Sequence, residues 1–84
     1  MAFLARAKRL PRRLGVGQSD REAVRLYRLS AAQGYRGAQT ALGLMFLAGR
    51  GAPKDKSRAI ELFERAAAQK EPEAIAQLRR LSAQ

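Results

Sequence analysis

Apolar residues recur along this chain at intervals of three and four, the spacing of one face of an α-helix. Ala23, Leu26, Tyr27, Ser30 and Ala31 stand at i, i+3, i+4, i+7 and i+8, and Ala59, Leu62, Phe63, Ala66 and Ala67 repeat the series. Each series predicts a helix with one stripe turned inward. A shorter stripe follows each of them. After the first come Ala38, Ala41, Leu42, Met45 and Phe46; after the second come Ala74, Leu78 and Leu81, with Ile75 beside them. No strand-like alternation of useful length occurs. The helices therefore arrive in pairs.

The pairs are copies of one unit. When residues 15–45 are laid on 51–81, an offset of 36, eight of 31 positions are identical: Gly15/Gly51, Ala23/Ala59, Leu26/Leu62, Ala31/Ala67, Ala32/Ala68, Gln33/Gln69, Ala38/Ala74 and Leu42/Leu78. Val24/Ile60 and Tyr27/Phe63 are conservative exchanges at the same offset. Tyr27 and Phe63 are therefore expected in matching seats of one shared interior. Self-similarity at a fixed period marks stacked supersecondary units, each too small to bury its apolar face alone.

Punctuation residues set the expected boundaries. Ser19-Asp20-Arg21-Glu22 reads as a capping box at the start of the first helix, and Asp55 as the N-cap of its counterpart. Gly34 suits a left-handed helix end. Lys70 stands at the matching place, so the stop there is expected to fall to Pro72, in the first turn of the next helix. Gly49-Arg50-Gly51-Ala52-Pro53-Lys54-Asp55 supplies turn residues between the units. Gly43 permits close approach of a neighbouring helix. Its counterpart is Arg79, with Arg80 in place of Leu44, so residues 72–83 are expected to form a terminal cap with one wet face. At the other end Phe3, Ala7 and Leu10 keep helical spacing and Pro11 stops it. Residues 2–10 read as the degenerate last helix of a lost repeat, capping the array rather than lying on an anionic membrane. The expected organisation is a basic N-terminal helix at 1–14 and a repeat domain at 15–84, with units at about 15–50 and 51–84.

Ala38-Gln39-Thr40-Ala41-Leu42-Gly43-Leu44-Met45-Phe46, then Gly49-Arg50-Gly51-Ala52-Pro53-Lys54-Asp55, then Ala59-Ile60-Glu61-Leu62-Phe63-Glu64-Arg65-Ala66-Ala67 resembles the Sel-one-like repeat, a relative of the tetratricopeptide repeat. That pattern runs A-x-x-x-L-G-x-x-Y, G-x-G-V-x-x-D, then A-x-x-W/Y/F-x-x-A-A-x-x-G. Phe46 for Tyr, Ala52 for Val and Lys70 for Gly are mild departures. One full repeat is covered at about 37–72, with an incomplete one before it. The resemblance implies an all-α, right-handed α/α solenoid of about two helix–turn–helix repeats. It also implies an adaptor or scaffold without chemistry of its own, of a kind common in bacterial regulatory or envelope-linked assemblies.

Composition narrows the function further. The 84 residues suffice for one small domain, and they include no Cys, His or Trp. The usual zinc, haem and iron–sulfur ligands, the thiol nucleophile and the imidazole base are thus missing. Glu61 and Glu64 lie off the apolar stripe, so neither is placed for acid–base work. Gly15-Val16-Gly17 precedes a helix but lacks the Lys-Ser/Thr of a phosphate loop. An enzyme is not expected, and no catalytic residue, metal or cofactor is implied. No run approaches the ~20 apolar residues of a membrane span, and residues 1–14 have no signal-peptide core; a cytoplasmic location is the expectation.

Charge supplies the candidate binding residues. Lys and Arg number 17 against 7 acids, a formal net charge of +10. Arg21, Arg25 and Arg28 line one side of the first helix. At the repeat offset the signs reverse, with Glu22 on Arg58, Arg25 on Glu61 and Arg28 on Glu64, which predicts an inter-repeat charge ladder of about 0–1 kcal/mol per exposed pair. Tyr35 follows Gly34 where periodicity asks for no aromatic, with Arg36 beside it, and an exposed Tyr is a good interface anchor. Arg21, Arg25, Arg28, Tyr35 and Arg36 are accordingly the candidate surface for a protein partner with an acidic contact region. The alternative ligand is nucleic acid or another polyanion. With fewer than three repeats, a second copy docking on an unfinished stacking face is a further expectation.

Overall fold

The computed structural model describes residues 16–84, with side chains from Asp20 onward. Expectations for residues 1–14 lie outside it. Four helices follow in order: α1 (Val16–Ala32), α2 (Arg36–Ala48), α3 (Lys56–Ala68) and α4 (Pro72–Ala83). Among the described residues there is no strand. Each helix packs on the next, α1 on α2, α2 on α3 and α3 on α4, with the α2–α3 pair the most extensive. The fold is an all-α solenoid of stacked helical hairpins.

The core lies along the seam where α3 meets its two neighbours. Phe63, Ala59, Ala66 and Ala74 are completely buried, and Val24, Ala31, Leu42 and Phe46 are nearly so. One close approach makes room for the largest of them. A Cβ added to Gly43 would lie 2.6 Å from Phe63 Cε1 and 2.9 Å from Cδ1. The ring of α3 therefore lies directly on the bare backbone of α2, as the glycine at that position predicts.

The stripe read for α3 is the buried face, but the one read for α1 is only half so. Val24 and Ala31 are buried in α1, whereas Leu26 is 59% exposed and Tyr27 36% exposed. Tyr27 thus does not share the fully buried seat of Phe63. Among the described helices α3 is flanked on two sides and α1 on one. The half of the α1 stripe that faces away from α2 has no described helix against it.

Helix ends follow local chemistry, with two departures from expectation. Asp55 caps α3 as predicted, with extended backbone and Oδ1 accepting from the Arg58 amide at 3.1 Å. The expected capping box does not start α1. The helix begins at Val16, so Ser19 and Glu22 lie inside it. Asp20 instead accepts both arms of the Arg50 guanidinium, at 3.0 and 3.1 Å, and ties α1 to the α2–α3 loop. At the other end of α1, Gly34 has φ +93°. Its amide bonds the Ala31 carbonyl and the Tyr35 amide bonds that of Ser30, the paired closure of a Schellman motif.

Lys70 reproduces that motif rather than ceding the stop to Pro72. It takes φ +66°, its amide bonds Ala67, and the Glu71 amide bonds Ala66. Pro72 then opens α4. A side chain in this conformation costs about 1–2 kcal/mol, partly offset in any glycine variant by the looser unfolded chain. Lys70→Gly is therefore expected to stabilise the domain by about 0.5–1 kcal/mol. Thermal unfolding would then move up by about 2–8 °C; an unchanged or lower midpoint would show that the lysine is unstrained.

The two turns are bonded to each other. Gln69 donates its amide to the Gly34 carbonyl at 2.9 Å and to Gln39 Oε1 at 3.0 Å. Arg36 donates to the Gln69 carbonyl at 2.8 Å. The Thr40 hydroxyl donates to Glu71 at 2.5 Å, and buried Gln39 reaches the Ala31 carbonyl at 3.4 Å. These bonds satisfy polar groups that the close stacking would otherwise strand.

Candidate functional site

Helical spacing on α3 builds a charged face beside the buried one. Arg58, Glu61, Leu62 and Arg65 stand at i, i+3, i+4 and i+7, so they share one side of the helix. Packing brings Leu42 and Phe46 of α2 and Arg28 of α1 to the same side. Together these seven residues line a groove of about 220 Å³. The volume equals that of about seven waters, which suits one side chain of a partner rather than a bulky ligand.

The floor is Phe46, and two cations cover it. The Arg28 guanidinium carbon lies 5.9 Å from the ring centroid and that of Arg58 lies 5.8 Å away. Both distances fall within cation–π range. Arg58 is also held by Asp55, Nε to Oδ2 at 3.4 Å. Arg28 and Arg65 form no ion pair among the described residues. The groove is thus lined by three arginines and one acid, Glu61. Glu61 and Glu64 border a second, shallower depression on the other side of Arg65.

The structure separates the residues that the sequence grouped. Arg28 enters the groove. Arg21 is exposed on the same helix, and Arg25 is exposed and pairs with Glu22 at 3.5 Å. Tyr35 is 62% exposed at the Gly34 turn and does not line the groove. Arg36 sits at that turn as well, bonded to the Gln69 carbonyl at the end of α3. The predicted charge ladder does not form among the described residues, because Glu22 and Arg58 find partners within their own units. Local i, i+3 partners are closer than those one unit away.

Arg58, Arg65 and Phe46 are the groove residues that sequence reasoning passed over. The stripe assigns Phe46 to the core, which its burial supports, yet its ring also holds two guanidiniums. Arg58 and Arg65 flank Leu62 at i−4 and i+3, a spacing visible in the sequence. Only tertiary contact shows that Arg28 joins them.

The Sel1 repeat family matches the chain twice, over residues 1–35 and 37–71. The chain belongs to the Sel1 repeat family. No curated protein and no solved structure gives a significant match. The second Sel1 match spans α2, the loop and α3, which is the most extensively packed pair. The groove lies mainly on that repeat, with Arg28 reaching in from the Sel1 match before it. Sel1 repeats are generally protein–protein interaction modules, scaffolds rather than catalysts. Among the described residues no group of acidic side chains is placed to hold a metal ion, and no helix is long and apolar enough to cross a membrane.

Proposed function

We propose that this Sel1 repeat protein binds another protein on the basic surface shared by α1 and α3, with no chemistry of its own. The observation that carries this reading is the convergence of Arg28, Arg58 and Arg65 on one groove, floored by Phe46. A stacked helical array displays such a surface rigidly, so little ordering entropy is lost on binding. Arg21 and Arg25 extend the basic face along α1. Tyr35 and Arg36 form a separate candidate contact at the turn, where Arg36 is already engaged by the fold.

Affinity capture with the wild type beside an Arg28→Ala/Arg65→Ala variant tests the proposal. The expected result is a specific protein enriched by the wild type and depleted at least tenfold with the variant, at unchanged helicity. Equal recovery moves the contact elsewhere, and an Arg21→Ala/Arg25→Ala/Tyr35→Ala variant then locates it. The formal charge of +10 makes a polyanion the rival ligand. That reading requires binding to arbitrary nucleic acid with a log–log salt slope of about −0.9 per phosphate contact. Failure to be retained on a polyanion column at low salt removes it.

A further inference from the structure

Resting on that reading, we infer that the Phe46 groove is a receptor for one isolated carboxylate, an Asp or Glu side chain that the partner inserts between Arg28 and Arg65.

The chemistry of the walls selects the ligand. A guanidinium carries five donors in a planar fork that matches a carboxylate. Arg28 brings such a fork to the groove and Arg65 lines it, neither in an ion pair among the described residues, while Arg58 is partly occupied by Asp55. Leu42 and Leu62 line the same space. A carboxylate entering there is bonded beside apolar surface, where charge-assisted hydrogen bonds are stronger than in open water. The Phe46 ring holds the Arg28 and Arg58 heads in place beforehand, which lowers the entropy lost when an anion arrives.

The neighbourhood also limits the anion. Glu61 is part of the groove, and Glu61 and Glu64 line the adjoining depression. Each strand of a duplex carries a charge about every 3.4 Å of helix axis, so a neighbouring phosphate would meet these carboxylates. Phe46 is 5% exposed and lies under the guanidiniums, so it offers no face for a base to stack on. A lone acidic side chain flanked by uncharged or basic residues meets neither obstacle. Basic residues beside it would find Glu61 and Glu64.

Side-chain Nε–Hε resonances of the ¹⁵N-labelled 84-residue chain read this directly. The probes are N-acetyl-glutamate N-methylamide, its glutamine analogue and dimethyl phosphate. The glutamate probe is expected to shift Arg28, Arg58 and Arg65 together, with apparent affinity at least fivefold tighter than for the exposed Arg79 and Arg80. The glutamine analogue should leave all of them unmoved. Arg28→Gln/Arg65→Gln should weaken the response of Arg58 at least fivefold, and the charge-matched Arg79→Gln/Arg80→Gln less than twofold. Uniform shifts at every arginine, equal loss in the two charge-matched variants, or tighter binding of dimethyl phosphate at the groove would each overturn the inference. A partner captured through Arg28 and Arg65 without any glutamate response would leave the interaction reading intact and remove only this one.

Discussion

Phe63→Ala is expected to cost about 3–5 kcal/mol, the loss for deleting a fully buried phenyl ring whose surroundings cannot collapse. The ring is completely buried and lies against Gly43. The backbone of α2 cannot move in to fill the void without leaving its own contacts. A domain of this size has a total stability of about 4–13 kcal/mol, so the variant is expected to lose a large fraction of it. Urea denaturation followed by circular dichroism measures it, with an unchanged m-value showing that the loss is one of stability. The aligned Tyr27→Ala serves as the comparison. Tyr27 is 36% exposed, and its loss is expected to cost less than about half as much. Equal costs would mean that both rings are buried alike, contrary to the burial described above.

Gly51→Ala carries the second large effect. Gly51 has φ +76°, and an added Cβ would overlap the Asp20 carbonyl oxygen and come within 2.6 Å of its carbon. Both atoms are backbone, so no flexible side chain can yield. The left-handed conformation alone costs about 1–2 kcal/mol, and displacing the loop from α1 adds to it, for a total of about 3 kcal/mol. The bidentate Arg50–Asp20 contact at the same junction would be disturbed as well. Gly34→Ala isolates the conformational part. Its φ is +93° but nothing lies within 4 Å of the new Cβ, so it should lose only the first 1–2 kcal/mol. If the two alanine variants melt together, the loop does not press on α1.

Much of the architecture is legible in the chain because each hairpin says the same thing twice. The α3 stripe, the Asp55 cap, the Gly34 stop and the seat under Gly43 all follow from residue type and spacing. What escaped depends on neighbours. Leu26 has the spacing of a core residue, yet burial needs a helix on that side, and periodicity cannot supply one. Lys70 holds a glycine's conformation because the bonds from Lys70 and Glu71 to Ala67 and Ala66 outweigh its strain, a balance invisible in residue type. Ser19-Asp20-Arg21-Glu22 has the letters of a capping box, but α1 already begins at Val16, so Ser19 lies inside the helix. The candidate site was legible only in part. The Arg28 position on the first helix could be read, whereas its meeting with Arg58 and Arg65 over Phe46 is a product of stacking.

The bond from Gln69 to the Gly34 carbonyl has a bearing on how such arrays keep time. Hydrophobic contact between helices tolerates sliding, since one methyl group serves nearly as well as the next. An amide aimed at one carbonyl does not. Gln33 follows α1 at the place where Gln69 follows α3, so the sequence repeats the same residue one period earlier. The glutamine after α3 thus fixes the step between these two tips, and inserting or deleting one residue between Gly34 and Gln69 would put the gauge out of reach of its mark.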